Sequence, residues 1–253
     1  MYNELKRIIN SSNRIVFFGG AGVSTESGVP DFRSQNGLYE AVQEFGRSPE
    51  EMLSYSFFIS NTETFFNYYK NNLIYTDVKP NNAHFALAKL ESQGKLTSVV
   101  TQNIDGLHQM AGSRRVHELH GSVMKNYCMS CNEKYNLDYI LNLKNCIDDN
   151  GKKSHIPYCN KCKGIVRPDV VLYEETLKQS IIAAAIKDIS QADTLIVGGT
   201  SLVVYPAAGL IDYFRGKNIV LINKSKTQYD YKASLVINDS IGKVLGECLL
   251  NEE

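Results

Sequence analysis

The chain carries no surplus of charge of either sign: 27 basic and 27 acidic side chains cancel over 253 residues. That balance argues against the electrostatic footprint of a nucleic-acid binder and offers no grip on an anionic membrane. Long apolar runs are missing too. The stretch Met1 to Asn10 is amphipathic at helical spacing, so it reads as a surface helix, neither a signal peptide nor a membrane span. No internal repeat or low-complexity tract interrupts the sequence. Cysteine is sparse, six residues in all, and four of them fall in two Cys-x-x-Cys pairs. With no export signal to suggest disulfides, that pairing favours thiolate metal binding, and the cytoplasm is the expected compartment.

A further absence is more specific. The apolar run Val16-Phe17-Phe18 breaks into Gly19-Gly20-Ala21-Gly22-Val23-Ser24. Gly20 and Gly22 supply the first two glycines of the dinucleotide fingerprint, but Thr25 stands where the third belongs and Gly28 comes too late. An ordinary hydride-transferring dehydrogenase is thereby disfavoured. Glycines directly after a strand still let the backbone approach a phosphate closely. The segment therefore reads as a nucleotide-binding loop of another design, continuing to Val29-Pro30-Asp31-Phe32-Arg33.

Organisation along the chain supports a layered α/β fold. A helix precedes a buried strand from Arg14 to Phe18. Lys79-Pro80-Asn81-Asn82 opens a helix that Gly94 ends, and Leu96 to Val100 is a second buried strand. Strand-like runs at Thr194 to Val197 and Asn218 to Ile222 flank a helix-like Pro206 to Phe214. This alternation implies a Rossmann-like parallel sheet with helices on both faces. Ligands on such sheets gather at the carboxyl ends of strands, here Gly19-Gly20, Thr101-Gln102-Asn103, Gly199-Thr200-Ser201 and Asn223-Lys224. Three parts are expected: a discontinuous nucleotide-binding domain (1–35, 80–121 and 166–253), a helical insertion (36–79) and a small zinc-binding domain (122–165).

Cys128-x-x-Cys131 and Cys159-x-x-Cys162 leave 27 residues between the pairs. Each pair spans one edge of a tetrahedron, so one zinc with four thiolates is expected, structural because no position stays open. Cys146 and Cys248 read as ordinary residues, with Cys146 the one alternative ligand.

Five histidines compete for the role of a general base titrating near neutrality. His84 reads as packed or capping, His108 as a loop brace, His117 as a strand or turn residue and His155 as part of a polar loop. The residues alone leave His120 one of several candidates.

Taken together, five segments resemble the sirtuin family of NAD-dependent protein deacylases, in its compact bacterial form. They are the run from Gly20 to Arg33, Thr101 to His108, Leu119-His120-Gly121, the paired cysteines, and Gly199 to Ala208. They follow the family's order and span nearly the whole chain. The resemblance implies a deacylase that consumes NAD as a co-substrate and acts on acyl-lysine proteins or peptides. The acyl oxygen attacks the anomeric carbon of the nicotinamide ribose, nicotinamide leaves, and the alkylimidate is resolved with His120 as general base. The peptide would add a strand between the domains, near Val170 and the loop after Gly199.

The resemblance also assigns residues. Asn103 sits near the attacked carbon, Gln102 on the ribose, and Ile104 with Asp105 around the nicotinamide amide. Gly20, Ala21, Gly22 and Thr25 line the first turn, while Phe32 shields the anomeric carbon and Arg33 positions the loop. Gly199, Thr200 and Ser201 meet phosphate, Asn223 the adenosine ribose and Ile241 the adenine. Mono-ADP-ribosyl transfer and removal of longer acyl chains are the alternatives. Two positions depart from the family pattern: Gly19 replaces a usual Thr, and Glu174 a usual Gly. The Tyr-x-x-Arg pair that grips charged acyl groups falls on Phe66 and Tyr69, leaving Lys70 as a possible substitute anchor. Uncharged acyl groups, acetyl first, are therefore expected.

Overall fold

A computed structural model of the chain describes residues 2–30, 46–148 and 150–250, and the structural statements below concern these. Chain order begins with α1 (Asn3–Ser11) and β1 (Ile15–Gly19), followed by the short helices α2 (Pro49–Met52), α3 (Tyr55–Ser60) and α4 (Thr62–Asn72). Next come α5 (Asn82–Ser92), β2 (Leu96–Thr101), α6 (Leu107–Met110) and β3 (Val116–Glu118). A smaller unit follows with β4 (Gly121–Cys128), β5 (Lys134–Asn136), α7 (Leu137–Leu141) and β6 (Val166–Val170). The chain closes with α8 (Gln179–Gln191), β7 (Thr194–Gly198), β8 (Asn218–Ile222), β9 (Leu235–Ile237) and α9 (Ile241–Leu249).

Six strands form one parallel sheet in the order β3-β2-β1-β7-β8-β9. The chain builds outward from β1 to β3, then returns to pair β7 with the free side of β1. That reversal between β2 and β7 is the topological switch point at which open α/β sheets bind ligands. Strand alternation sorts the apolar side chains. Ile15, Phe17, Val99, Ile196 and Val220 face a core closed by α1, α5 and α9. Val16, Phe18, Val100, Val197 and Leu221 face the other, closed by α8 and a 3-10 helix at Ala207–Tyr213. Burial on both faces is why these strands read as unbroken apolar runs.

The local expectations hold with small adjustments. β1 starts at Ile15 because Arg14 stays exposed, its backbone N–H donating to Asp193. Asn81 caps α5 in a reciprocal box with His84, whose Nδ1 accepts from the Asn81 N–H. The segment after Pro206 winds as a 3-10 helix, not an α-helix. Behind the glycine loop stand two three-residue 3-10 turns, Ala21–Val23 and Thr25–Ser27.

The second sheet is antiparallel, in the order β5-β4-β6, so Val166–Val170 pairs in this small sheet. Its core merges with that of α2–α4. Phe57, Phe58, Phe65, Phe66 and Tyr69 pack in one cluster with Val123, Ile140 and the buried ligand candidates Cys128 and Cys159. Phe58 meets Phe65 edge-on at 4.8 Å, and Phe65 stacks on Tyr69. The insertion and the cysteine-bearing segment thus share a single apolar interior.

Candidate active site

Three strand ends and the start of the small sheet converge on a cleft of about 260 Å³. Its lining includes Ala21, Ser24, Gln102, Asn103, Asp105 and His120 on the sheet side. Leu53, Leu172 and Tyr173 close it from the small lobe.

His120 lies where the chain leaves the large sheet for the small one. Gly121 makes that turn at φ 78°, and a Cβ there would run into the carbonyl of Asp169, so only glycine fits. The His120 carbonyl accepts from Val171 N–H at 2.9 Å. Its Nδ1 lies 2.9 Å from the Gln102 carbonyl oxygen. A carbonyl only accepts, so Nδ1 carries the proton and Nε2 keeps a lone pair suited to a general base.

A polar chain runs across the switch point. Asn103 Nδ2 donates to Ser24 Oγ at 2.9 Å, and Ser24 Oγ donates to Asp105 Oδ2 at 2.6 Å. The second Asp105 oxygen accepts from the Leu107 N–H at 2.9 Å. Burial pushes the Asp105 carboxyl up from its usual range, against the pull of the Ser24 and Leu107 bonds. Ser24 was not among the residues expected here. Its signal is its place in the glycine loop, but only the meeting of β1 and β2 gives its hydroxyl two partners.

The glycine loop is close-packed against the loop after β7. A Cβ on Gly22 would sit 2.8 Å from the Gly199 Cα, and one on Gly20 2.9 Å from the Thr200 Cβ. Gly22 N–H donates to the Gly199 carbonyl at 2.8 Å, so the two loops lie backbone against backbone. Thr25 Oγ1 turns back to the Gly22 carbonyl. Thr200 N–H donates to Asn223 Oδ1 at 2.9 Å, while Ser201 is exposed. Ile241 is buried in the lower core against Gly198. None of Gly20, Gly22, Thr25, Gly199, Thr200, Ser201, Asn223 or Ile241 lines the cleft itself; they border the β1, β7 and β8 ends beside it. Phe32 and Arg33 lie outside the described residues.

Two orphaned donors test the fit to a nucleotide. Gln102 Nε2 and Asn223 Nδ2 are buried with no partner among the described residues. Buried amides of this kind need acceptors, and a ligand rich in hydroxyl and phosphate oxygens supplies them.

The Sir2 family profile matches residues 20–206, which is most of the chain. The chain belongs to the Sir2 family. It is 63% identical over 248 residues to an NAD-dependent protein deacetylase of Clostridium perfringens, covering 98% of each chain. A Clostridium acetobutylicum protein of the same description is 60% identical over 243 residues, with 96% of each covered. Among solved structures, one described as the structural basis of sirtuin substrate affinity superposes at TM-score 0.88, with 37% identity over 100% of both chains. A complex of Sir2 with a p53 peptide and NAD+ gives 0.81 at 38% identity, covering 98% of this chain and 96% of that one.

The Sir2-family cysteines gather as a cluster whose Sγ atoms all lie within 4.8 Å of one another. Cys128 and Cys162 are 3.4 Å apart, Cys131 and Cys159 3.6 Å. A tetrahedral zinc at about 2.3 Å places its sulfurs about 3.8 Å apart, so the four residues fit. The two knuckles repeat one geometry. Asn132 and Lys163 take left-handed φ of 58° and 62°, and each N–H returns to the carbonyl of the first cysteine at 3.0 Å. Tyr135 Oη, 3.0 Å from Cys159 Sγ, adds an outer partner. Cys146 stands apart, its sulfur 3.2 Å from Lys70 Nζ. Lys70 is therefore engaged away from the cleft, and Phe66 and Tyr69 are fully buried in the aromatic core. None of the three lines the cleft.

The other histidines have structural places. His84 and His108 are buried with ring centroids 4.7 Å apart, and His117 Nε2 contacts Asp188 at 2.7 Å on the far side of the sheet. The His155 N–H donates to Glu63 at 2.7 Å.

Proposed function

We propose that this chain is an NAD-dependent protein-lysine deacylase, acetyl first, releasing nicotinamide and O-acyl-ADP-ribose. The observation that carries the reading is His120, held by the Gln102 carbonyl so that Nε2 is the basic nitrogen, in a cleft shared with Asn103, Ser24 and Asp105. NAD is a substrate here, and the reaction transfers the acyl group to its ribose.

In this reading His120 takes the proton from a ribose hydroxyl. Asn103, held by Ser24, orients the reacting centre. Gln102 binds the ribose through its unpaired Nε2, and Ile104 with Asp105 receives the nicotinamide amide. Gly20, Ala21, Gly22 and Thr25 wrap the first turn, Gly199, Thr200 and Ser201 the phosphates, and Asn223 and Ile241 the adenosine. The four thiolates of Cys128, Cys131, Cys159 and Cys162 hold a structural zinc that fixes the small lobe. Residues 1–35, 80–121 and 166–253 serve the nucleotide, 36–79 form the helical insertion and cofactor loop, and 122–165 hold the metal. Cys128, Cys131, Cys146, Cys159 and Cys162 form no disulfide, which suits a reducing cytoplasm. Among the described residues no helix is long and apolar enough to cross a membrane.

Incubation with NAD and an acetyl-lysine peptide should release nicotinamide and deacylated peptide in equal amounts. Nicotinamide without deacylation would favour mono-ADP-ribosyl transfer instead. On one peptide bearing acetyl, butyryl, longer fatty acyl or succinyl lysine, succinyl should be the poorest, since Lys70 is turned to Cys146 and no arginine among the described residues lines the cleft. Succinyl turnover equal to acetyl would overturn the acyl preference.

A further inference from the structure

Glu174 holds a backbone conformation that side chains other than glycine rarely take, at φ 76°. Its carboxylate crosses to the helical insertion. Oε2 accepts from the Ser56 N–H at 2.8 Å and Oε1 from the Ser56 hydroxyl at 2.9 Å. Ser56 sits in the first turn of α3, where backbone N–H groups have no partner within the helix and a negative charge is favoured. The strained residue thus supplies an acceptor that a glycine could not.

Around this contact the two segments are zipped together. Tyr55 N–H donates to the Tyr173 carbonyl, and Tyr173 N–H to the Leu53 carbonyl, both at 3.0 Å. From the other side Arg167, buried beneath the Phe58 ring, grips Glu175 through two bonds of 2.8 and 2.9 Å. Leu53, Leu172, Tyr173, Glu174 and Glu175 all line the cleft. This part of the cleft wall is therefore made of two chain segments, and Glu174 ties them through its hydrogen bonds to Ser56.

We propose that Glu174 is a positioning residue that latches α3 to the loop after β6 and so sets the width of the cleft wall against which the acyl-lysine lies. The proposal rests on the deacylase reading only in naming the occupant. No bond in the reaction passes through Glu174, so its removal should alter peptide binding more than the chemical step.

The test compares the parent with Glu174→Gly, Glu174→Gln and Ser56→Ala. Glu174→Gly removes both bonds and relieves the left-handed strain, so its melting temperature should stay close to the parent's. Its KM for an acetyl-lysine peptide should rise about five- to tenfold, the worth of a partly exposed charge-assisted bond, with kcat within about twofold and KM for NAD unchanged. Amide exchange at Ser56 should accelerate. Glu174→Gln keeps an acceptor oxygen and should restore most of the peptide KM, and Ser56→Ala should fall between. Parental KM and parental Ser56 exchange in Glu174→Gly would overturn the latch, as would a Glu174→Gln variant as impaired as Glu174→Gly. A parent with no deacylase activity would refute the functional reading instead, and Ser56 exchange would still decide the latch.

Discussion

In the parallel sheet every residue of Ile15–Gly19 and of Thr194–Gly198 is buried, whereas Lys134–Asn136 in the small sheet has no buried residue. The difference marks two ways of holding a lobe together. The sheet lobe buries apolar side chains on both faces, and each fully buried Phe or Leu adds about 1.5–3 kcal/mol. The small lobe has one aromatic core, a three-stranded sheet and two cysteine knuckles, with Cys128 and Cys159 buried in that core and Cys131 and Cys162 exposed. Its stability therefore leans on a metal, because zinc binding is folding free energy when four thiolates are preassembled only in the fold. One lobe is made by area, the other by area plus coordination.

Removing a thiolate should break that comparison most severely. Cys128→Ala is expected to lose the zinc and to strip exchange protection from the small sheet and α2–α4, while Ile15–Gly19 stays protected. Zinc analysis and residue-resolved hydrogen exchange read both; equal protection in the two lobes after metal loss would contradict it. His120→Ala tests the seam between the lobes. Deacylation should fall by about a hundredfold or more, the usual worth of a general base, with zinc content and melting as in the parent. Equal turnover by mutant and parent would remove His120 from the mechanism.

Acid should reach the sheet lobe through its buried histidines. Burial lowers the His84 imidazole to about 4 and, helped by His84 itself, the His108 imidazole to about 3, against 6.5 in the unfolded chain. The unfolded state thus binds more protons, so this stability is full above about pH 6.5 and declines as pH falls toward 4. Melting followed from pH 7 to 5 should drop, with exchange rising around α5 and α6; a flat profile would count against the buried neutral pair. The smallest effect sharpens the comparison from the other side. Lys163→Gly relieves an exposed left-handed residue in the second knuckle and should stabilise the small lobe alone by about 0.5 kcal/mol. Denaturation monitored in each lobe would show it.

Much of this was legible in the sequence. The cysteine spacing located the metal cluster, and the helix opening at Asn81-Asn82 and the strands at Leu96 and Asn218 followed from local pattern. What escaped was contact between distant segments. Ser24 is 79 and 81 residues from its partners Asn103 and Asp105, so its place in the glycine loop does not tell which groups its hydroxyl meets. Gly20 and Gly22 also have neighbours that the sequence does not show, the Thr200 side chain beside Gly20 and the Gly199 backbone beside Gly22.

Knuckles, caps and apolar runs were determined by sequence alone, because each is set by dihedral preference and side-chain period over a few residues. The single aromatic interior shared by the insertion and the cysteine segment, the tautomer of His120 and the Glu174–Ser56 tie across 118 residues were decided only by tertiary structure. They depend on which strand ends meet. Strand order emerges from burying two faces of one sheet at once, a property of the whole chain that no local window contains.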